Sequence, residues 1–375
     1  MTGQRRILIT NCVMEGYTGT EMYIRDVAKQ LLQRGDRPVI YSTQLGPLAD
    51  QLRKLSIPVV DNLDQIAEPP DLIHGHHILE TMAALLRFPT TPGIYVCHDG
   101  FSWHSHIPNF PRLYRYVAVD TACFDRINLA SGIPREKIEF IQNGVDLNRF
   151  KSRSPLPSRP GKALAISNYM KPSDLSVIRD ACASIGVTVD GVGKKMGKLD
   201  KQPEKRLGEY DIVFAKGRCA WEALAVGTAV VVCDRNACGP MVRLNSLEHQ
   251  ASCNFGRRLL TSNLTREALL LELKKYDAQE SGTVSQLIRK RASLRSVVGQ
   301  LSSLYDEVIS QHSESPPVIE NDLLATSEIL QWWSAQWMEL AKSRQRSRSP
   351  SVKLKKLAGR IANRMPQKNW LRRSA

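Results

Sequence analysis

The chain has 375 residues, 42% of them hydrophobic, and a formal net charge of +15. That length and apolar content suit two globular domains with their own cores and exclude a disulfide-stapled mini-protein. From Lys342 to Ala375 there are twelve Lys/Arg and no Asp/Glu, which leaves 40 basic and 37 acidic residues elsewhere; the body is nearly balanced, and the basic pI is no argument that it binds nucleic acid.

The N-terminus, Met-Thr-Gly-Gln-Arg-Arg, runs straight into a strand candidate at Ile7–Ile9 and does not read as a signal peptide. A glycine-bearing loop, Glu15-Gly16-Tyr17-Thr18-Gly19-Thr20, leads into Ile24, Val27, Ala28, Leu31 and Leu32. Their i, i+3, i+4, i+7, i+8 spacing predicts one apolar helix face, stopped by Gly35. Strand candidates follow at 39–41, 57–60, 71–74, 94–97 and 116–119, with helices at 79–87 and 122–130. This alternation predicts a parallel sheet covered on both faces. Ser154-Pro155-Leu156-Pro157-Ser158-Arg159-Pro160-Gly161 reads as a linker. Alternation then restarts, with strands at 163–166, 187–192, 212–215 and 229–233 and helices at 175–184 and 221–226. Residues 266–310 read as helical. After Ser313-Glu314-Ser315-Pro316-Pro317, the points Leu323, Leu330, Trp333, Trp337 and Leu340 predict a further helix packed on the body. Leu354, Leu357, Ala358, Ile361 and Met365 give a basic amphipathic pattern between Ser351 and Pro366, suited to an anionic membrane surface or to a solvated tail. The longest apolar run, Ala223–Cys233, has about half the length of a membrane helix. The expected architecture is α/β, with domains at 1–153 and 162–312 facing a cleft, and a helical basic extension at 313–375.

A glycine loop between a strand and a helix lets backbone approach a phosphate, and the helix N-terminus adds N–H donors. Gly16-x-x-Gly19 alone is weak and also fits a tight turn. Glu222 lies inside an apolar helical stretch, Ala220–Val226, where a carboxylate is more at home facing a cleft than solvent. Lys216 and Arg218 fall between a strand and that helix, where a phosphate could reach them or where water could solvate them. His74, His76 and His77 invite a metal reading, but no third ligand with metal spacing accompanies them, so no metal is expected. The eight cysteines, at 12, 97, 123, 182, 219, 233, 238 and 253, contain no CxxC pair and read as reduced thiols in a cytoplasmic protein.

Several strings together resemble glycosyltransferase family 4. They are Gly19-Thr-Glu-Met-Tyr-Ile-Arg-Asp, Pro70-Asp-Leu-Ile-His-Gly-His76, Val96-Cys-His-Asp99, Gly132-Ile-Pro followed by Asn143-Gly-Val-Asp-Leu-Asn-Arg-Phe150, and Trp221-Glu-Ala-Leu-Ala-Val-Gly-Thr-Ala-Val-Val231. The resemblance spans about residues 6–310. It implies a GT-B enzyme of two Rossmann-like domains that retains stereochemistry, needs no metal or cofactor, and takes a nucleotide-diphosphate sugar and a glycan or lipid-linked acceptor. It places donor contacts at Gly16, Gly19, Asn143, Lys171 and Glu222, with Glu222 holding the ribose hydroxyls. His98, Lys216 and Arg218 fall to the reacting end. His98 also fits a structural strand-end histidine. Two departures stand out: Phe214 occupies the position of the family's first carboxylate, and Ser167-Asn-Tyr-Met-Lys171 replaces the usual Arg and Lys pattern. An epimerase of the same fold and a non-catalytic sugar-nucleotide binder are the competing readings.

Overall fold

The computed structural model describes residues 4–200 and 202–348. In the first half, strands and helices alternate: β1 (Arg6–Met14), α1 (Gly19–Gln33), β2 (Arg37–Leu45), α2 (Pro47–Arg53), β3 (Val59–Val60), β4 (Leu72–Gly75), α3 (Ile78–Arg87), β5 (Gly93–Cys97), β6 (Leu113–Ala118), α4 (Thr121–Asp125) and β7 (Ile138–Phe140). The apolar face read from Ile24, Val27, Ala28 and Leu31 is fully buried, as its spacing predicts. Leu32, the fifth member of that pattern, is exposed. The seven strands form one parallel sheet in the order β3-β2-β1-β4-β5-β6-β7. Strand order reverses between β1 and β4, so a crevice opens at their carboxyl ends. There the chain leaves β1 for the Gly16 loop and leaves β4 for His76 and His77.

The second half comprises β8 (Lys162–Ile166), α5 (Pro172–Ala183), β9 (Thr188–Val192), β10 (Ile212–Ala215), α6 (Arg218–Val226), β11 (Ala229–Asp234), β12 (Ala237–Met241), α7 (Leu247–Ser252) and β13 (Ser262–Asn263). Helices α8 (Arg266–Leu273), α9 (Ala278–Arg291) and α10 (Leu294–Glu314) follow. The strand order is β13-β12-β11-β10-β8-β9. Strands β8–β11 are parallel, as the alternation predicts, whereas β12 and β13 close the edge antiparallel. Its reversal point lies between β8 and β10, whose carboxyl ends lead into Ser167 and Lys216. The predicted helix at 122–130 is shorter than its pattern: α4 ends at Asp125 and a wider π turn carries Arg126–Ala130.

Two hydrophobic clusters sandwich the second sheet. Trp221, Val213, Val230 and Phe255 pack on one side, and Phe214, Val231, Ile178 and Leu269 on the other. Helix α10 follows the second half in sequence but returns to the first sheet. Its Tyr305 hydroxyl bonds His74, its Asp306 takes Arg5 at 2.8 Å, and its Glu307 pairs with Arg115. All eight cysteines are free thiols.

The contacts divide the chain between Pro317 and Val318. Beyond that division runs α11 (Ile319–Arg348), a helix of 30 residues. The amphipathic pattern at 351–366 lies outside the described residues. No helix among the described residues is long and apolar enough to cross a membrane.

Candidate functional site

The loop after β1 is organised by a carboxylate. Glu21, in the first turn of α1, accepts the Gly16 N–H at 2.7 Å and the Thr18 N–H at 2.8 Å, and is almost fully buried. The Gly16 N–H is thus satisfied within the loop by a side chain of α1, as the tight-turn reading of this glycine allows. Gly19 opens the helix, and the N–H groups of Gly19 and Thr20 are donors that a helix cannot bond internally.

Below this loop lies a cluster of imidazoles in which His74 and His76 are fully buried. His98 Nε2 and His76 Nδ1 are 3.1 Å apart with their rings stacked at 4.9 Å, and His74 lies 4.7 Å from His76. The Tyr23 ring of α1 stands edge-on to His98 at 4.5 Å. Burial drives these rings to the neutral form. His98 and His74 are both pushed down to about 3, and His76 is held well below its ordinary value. For His98 the charges of His74 and Arg218 add to that push. His77 is also pushed down to about 3, by burial and then by His104, on which it stacks at 4.7 Å. Its Nδ1 accepts the Cys12 N–H at 3.3 Å from a backbone at φ 61°, a strained conformation for a non-glycine residue. Among the described residues no group of three or more His, Cys, Asp or Glu is placed to hold a metal ion.

Facing this cluster, the second half delivers charge. The β10-to-α6 connection is only Lys216-Gly217. It turns on Gly217, whose φ of 56° with ψ of −134° suits only glycine and whose N–H bonds the Phe255 carbonyl. Arg218 then heads α6. Its Nε donates to Glu222 one turn on at 2.7 Å, and its Nη2 pairs with Asp26 of α1 in the opposite half. Asp26 also receives Arg25 at 2.7 Å and lies 3.6 Å from Arg149. One buried carboxylate thus gathers three guanidinium groups. Burial opposes the charge on Asp26, but Arg218, Arg25 and Arg149 outweigh it and hold its carboxyl below the usual range. Glu222 goes the other way: burial raises it more than Arg218 lowers it. Burial also works against the charge on Arg218, but Asp26 and Glu222 together keep it above its ordinary value.

Lys216 points elsewhere. Its Nζ lies 3.2 Å from Asp234, whose other oxygen takes the Ser167 hydroxyl at 2.5 Å, and 5.6 Å from the centre of the Tyr169 ring. Asn143 donates to Asn254 at 3.0 Å, and the same oxygen accepts the Trp221 indole N–H at 2.7 Å, next to Glu222. Lys171 caps α5 and is exposed; its N–H bonds Asp174 at 2.7 Å. Phe214 is fully buried within β10, so the family's first carboxylate has no counterpart at that position.

The junction therefore brings His98, Arg218 and Glu222 together, with Asn143 one hydrogen-bonded step away through Asn254. It leaves Lys216 in a neighbouring pair with Asp234 and Lys171 on the outer surface. An open cleft of about 590 Å³ lies beside Arg25 and Arg149, lined also by Tyr17, Lys29, Gln51, Asp200 and Glu204. None of the residues singled out from sequence lines it. Asp26 and Arg149 lie inside strings that carry the resemblance but had no role assigned there, and Asp234 was missed, because the partners in long-range ion pairs leave no local pattern. Glu21 did carry one: Thr18-x-x-Glu21 is a capping-box spacing.

The comparisons with known proteins bear on the fold. Residues 17–149 match the family model Glycosyltransferase Family 4. No curated protein matches the chain in sequence. A glycosyltransferase from Rickettsia africae superposes with a TM-score of 0.59 at 16% identity, over 82% of this chain and 99% of its own. HepE from Anabaena, solved with UDP and glucose, gives 0.59 at 16%, over 81% and 100%. A putative UDP-N-acetylglucosamine 2-epimerase from Listeria monocytogenes gives 0.50 at 14%, over 84% and 98%. The chain has the GT-B glycosyltransferase fold, two Rossmann-like halves, and the segment that matches the family model lies in the first, in agreement with the resemblance read from its motifs.

Proposed function

We propose that the protein transfers a sugar from a nucleotide-diphosphate donor to a glycan or lipid-linked acceptor, with retention and without a metal. The observation that carries this reading is the Arg218–Glu222 pair heading α6, buried opposite His98. A carboxylate at this depth can accept both ribose hydroxyls of a nucleoside, and charge-assisted bonds of that kind contribute about 1.5–3 kcal/mol each. Binding of UDP and UDP-glucose by the Anabaena neighbour supports a nucleotide sugar as the donor class. As the C1–O bond breaks, its electron pair moves onto the diphosphate. Arg218 and the N–H groups at Gly19 receive that charge, Lys216 adds to it from its neighbouring pair with Asp234 once a donor is bound, and His98, neutral, offers a ring nitrogen to a sugar hydroxyl. Asn143 steadies the wall behind Glu222 through Asn254. Gly16 shapes the loop, and Lys171 lies at the outer approach for the donor. The cleft beside Arg25 and Arg149, rich in hydrogen-bonding side chains, suits a polyhydroxylated acceptor.

A donor panel read by thermal shift tests the proposal. A true donor at 100 times its Kd stabilises by about 2.7 kcal/mol, and Glu222→Ala should abolish most of that shift while the protein stays folded. An equal shift in wild type and variant would remove Glu222 from the donor site. A second reading, a binder without turnover, draws on the burial of Phe214 in place of a carboxylate. Nucleoside diphosphate released in the presence of a sugar acceptor separates the two, and an epimerised donor would indicate the Listeria-like chemistry.

A further inference from the structure

We propose that Arg235, in the turn between β11 and β12, is a donor-binding residue that holds the diphosphate together with Lys216 over the ring of Tyr169. The inference rests on the nucleotide-sugar reading above. β8, β10 and β11 are adjacent parallel strands, and their carboxyl ends carry Ser167, Lys216 and Asp234. Ligands of open α/β sheets lie across such ends. The Ser167 hydroxyl donates to Asp234 at 2.5 Å and accepts the N–H groups of Tyr169 and Met170 at 3.0 and 3.3 Å. The turn built in this way leaves the Tyr169 ring 45% exposed. Lys216 Nζ lies 5.6 Å from the centre of that ring, and the Arg235 guanidinium carbon lies 4.9 Å from it. One ring thus gathers two cations. Asp234 is 3.2 Å from Lys216 and engages Ser167 as well, whereas Arg235 pairs with no carboxylate among the described residues.

Arg235 is held there against its backbone preference. It opens the two-residue turn Arg235-Asn236, with Asp234 paired to Ala237 across it, and its φ is 51°. A positive φ at the first position of such a hairpin turn suits glycine, so an arginine there is strained. A solvated surface arginine has no need of that place, whereas strain of this kind collects where a side chain must meet a ligand. The end of β9 adds charge. A side chain at Gly193 would run into the Ser167 carbonyl, so β9 closes on the β8 turn with glycine there. The Lys194 N–H then bonds the Asn168 side chain at 3.2 Å, which brings an exposed lysine up to the residue before Tyr169. Lys194, Lys216 and Arg235 against Asp234 leave a surplus of two positive charges. That surplus matches the two negative charges of a sugar-nucleotide diphosphate, and a guanidinium fork fits phosphate oxygens.

Calorimetric titration of the full chain with UDP, ADP, GDP and dTDP, with the matching nucleosides and with inorganic pyrophosphate tests this without a transfer assay. One nucleoside diphosphate should bind, and its nucleoside should bind at least about tenfold more weakly. Arg235→Ala should weaken the diphosphate about tenfold and leave the affinity for the nucleoside unchanged, and Arg235→Lys should restore part of the loss. Higher salt should weaken binding to the wild type more than to Arg235→Ala. Arg235→Gly separates binding from folding. It should lose the same affinity yet melt no lower than the wild type, because relief of the left-handed backbone offsets the lost contact with Tyr169. Equal affinity of the wild type and Arg235→Ala for the diphosphate overturns the proposal and leaves the donor reading in place. Failure of the wild type to bind any nucleoside diphosphate overturns both. A lower melting temperature for Arg235→Gly would make Arg235 a structural residue of the turn. Pyrophosphate binding that Arg235→Ala abolishes, with no nucleoside diphosphate bound, would overturn the donor assignment in favour of free phosphate.

Discussion

The two walls of the cleft bury polar groups in opposite ways. The first half uses neutral imidazoles: His76 stacks on His98, His74 lies against His76, Tyr23 stands edge-on to His98, and burial pushes the rings toward the neutral form. The second half uses charges that cancel, with Arg218 between Glu222 and Asp26. Both strategies satisfy the rule that a buried charge must be neutralised or paired. They differ in what breaks them. Neutral imidazoles fail when protons are supplied, whereas a paired network fails when one member is removed.

Acid should expose the first weakness most strongly. His74, His77 and His98 sit at about 3 when folded, against 6.5 for an ordinary histidine. The unfolded chain therefore binds more protons below pH 6.5, and stability present above that pH is lost as pH falls toward 3. Each histidine contributes up to about 1.4 kcal/mol per pH unit in that window. Acid is therefore the condition to which this wall is most sensitive. Denaturant unfolding between pH 7 and 4.5 measures the slope, and His98→Gln should remove about one proton from it. A pH-independent midpoint would mean that these rings are hydrated. On the charged wall, Asp26→Ala should cost about 3–5 kcal/mol at neutral pH, because Arg25, Arg149 and Arg218 would lose their shared carboxylate. A loss below about 1 kcal/mol, by the same measurement, would mean that solvent already reaches those groups. Lys216→Ala should have the smallest effect on folding, because Lys216 is the more exposed partner of its pair. It should lower kcat about tenfold with little change in KM, as expected of charge that matters when the diphosphate departs. A raised KM with kcat unchanged would make it a ground-state binder.

Much of the scaffold was legible because its signals are local. The helical spacing of Ile24 to Leu31 and the strand runs at 212–215 and 229–233 anticipate most elements from β1 to β11 to within a few residues, but α2 and β7 had no counterpart in that reading. The antiparallel β12 was not legible. Ala237-Cys-Gly-Pro-Met lacks the β-branched pattern of a strand. A side chain at Gly239 would stand 2.0 Å from the Leu259 carbonyl, a constraint set by a neighbour twenty residues on. The same divide runs through the site. Glu222 could be singled out because a carboxylate in an apolar helix is conspicuous. Asp26 could not, because its partner Arg218 is 192 positions away. Nor could a sequence tell that Glu21 would occupy the Gly16 N–H, since that depends on how the loop closes over the helix end.

The short outer strands have a consequence for behaviour at high concentration. β3 and β13 contain two residues each and β7 three, so three of the four sheet borders offer almost no row of unpaired N–H and C=O groups. A foreign strand needs such a row to add itself, and very short borders deny it. Among the described residues β9, five residues long, is the longest of the four border strands and so offers a partner the longest row to template on.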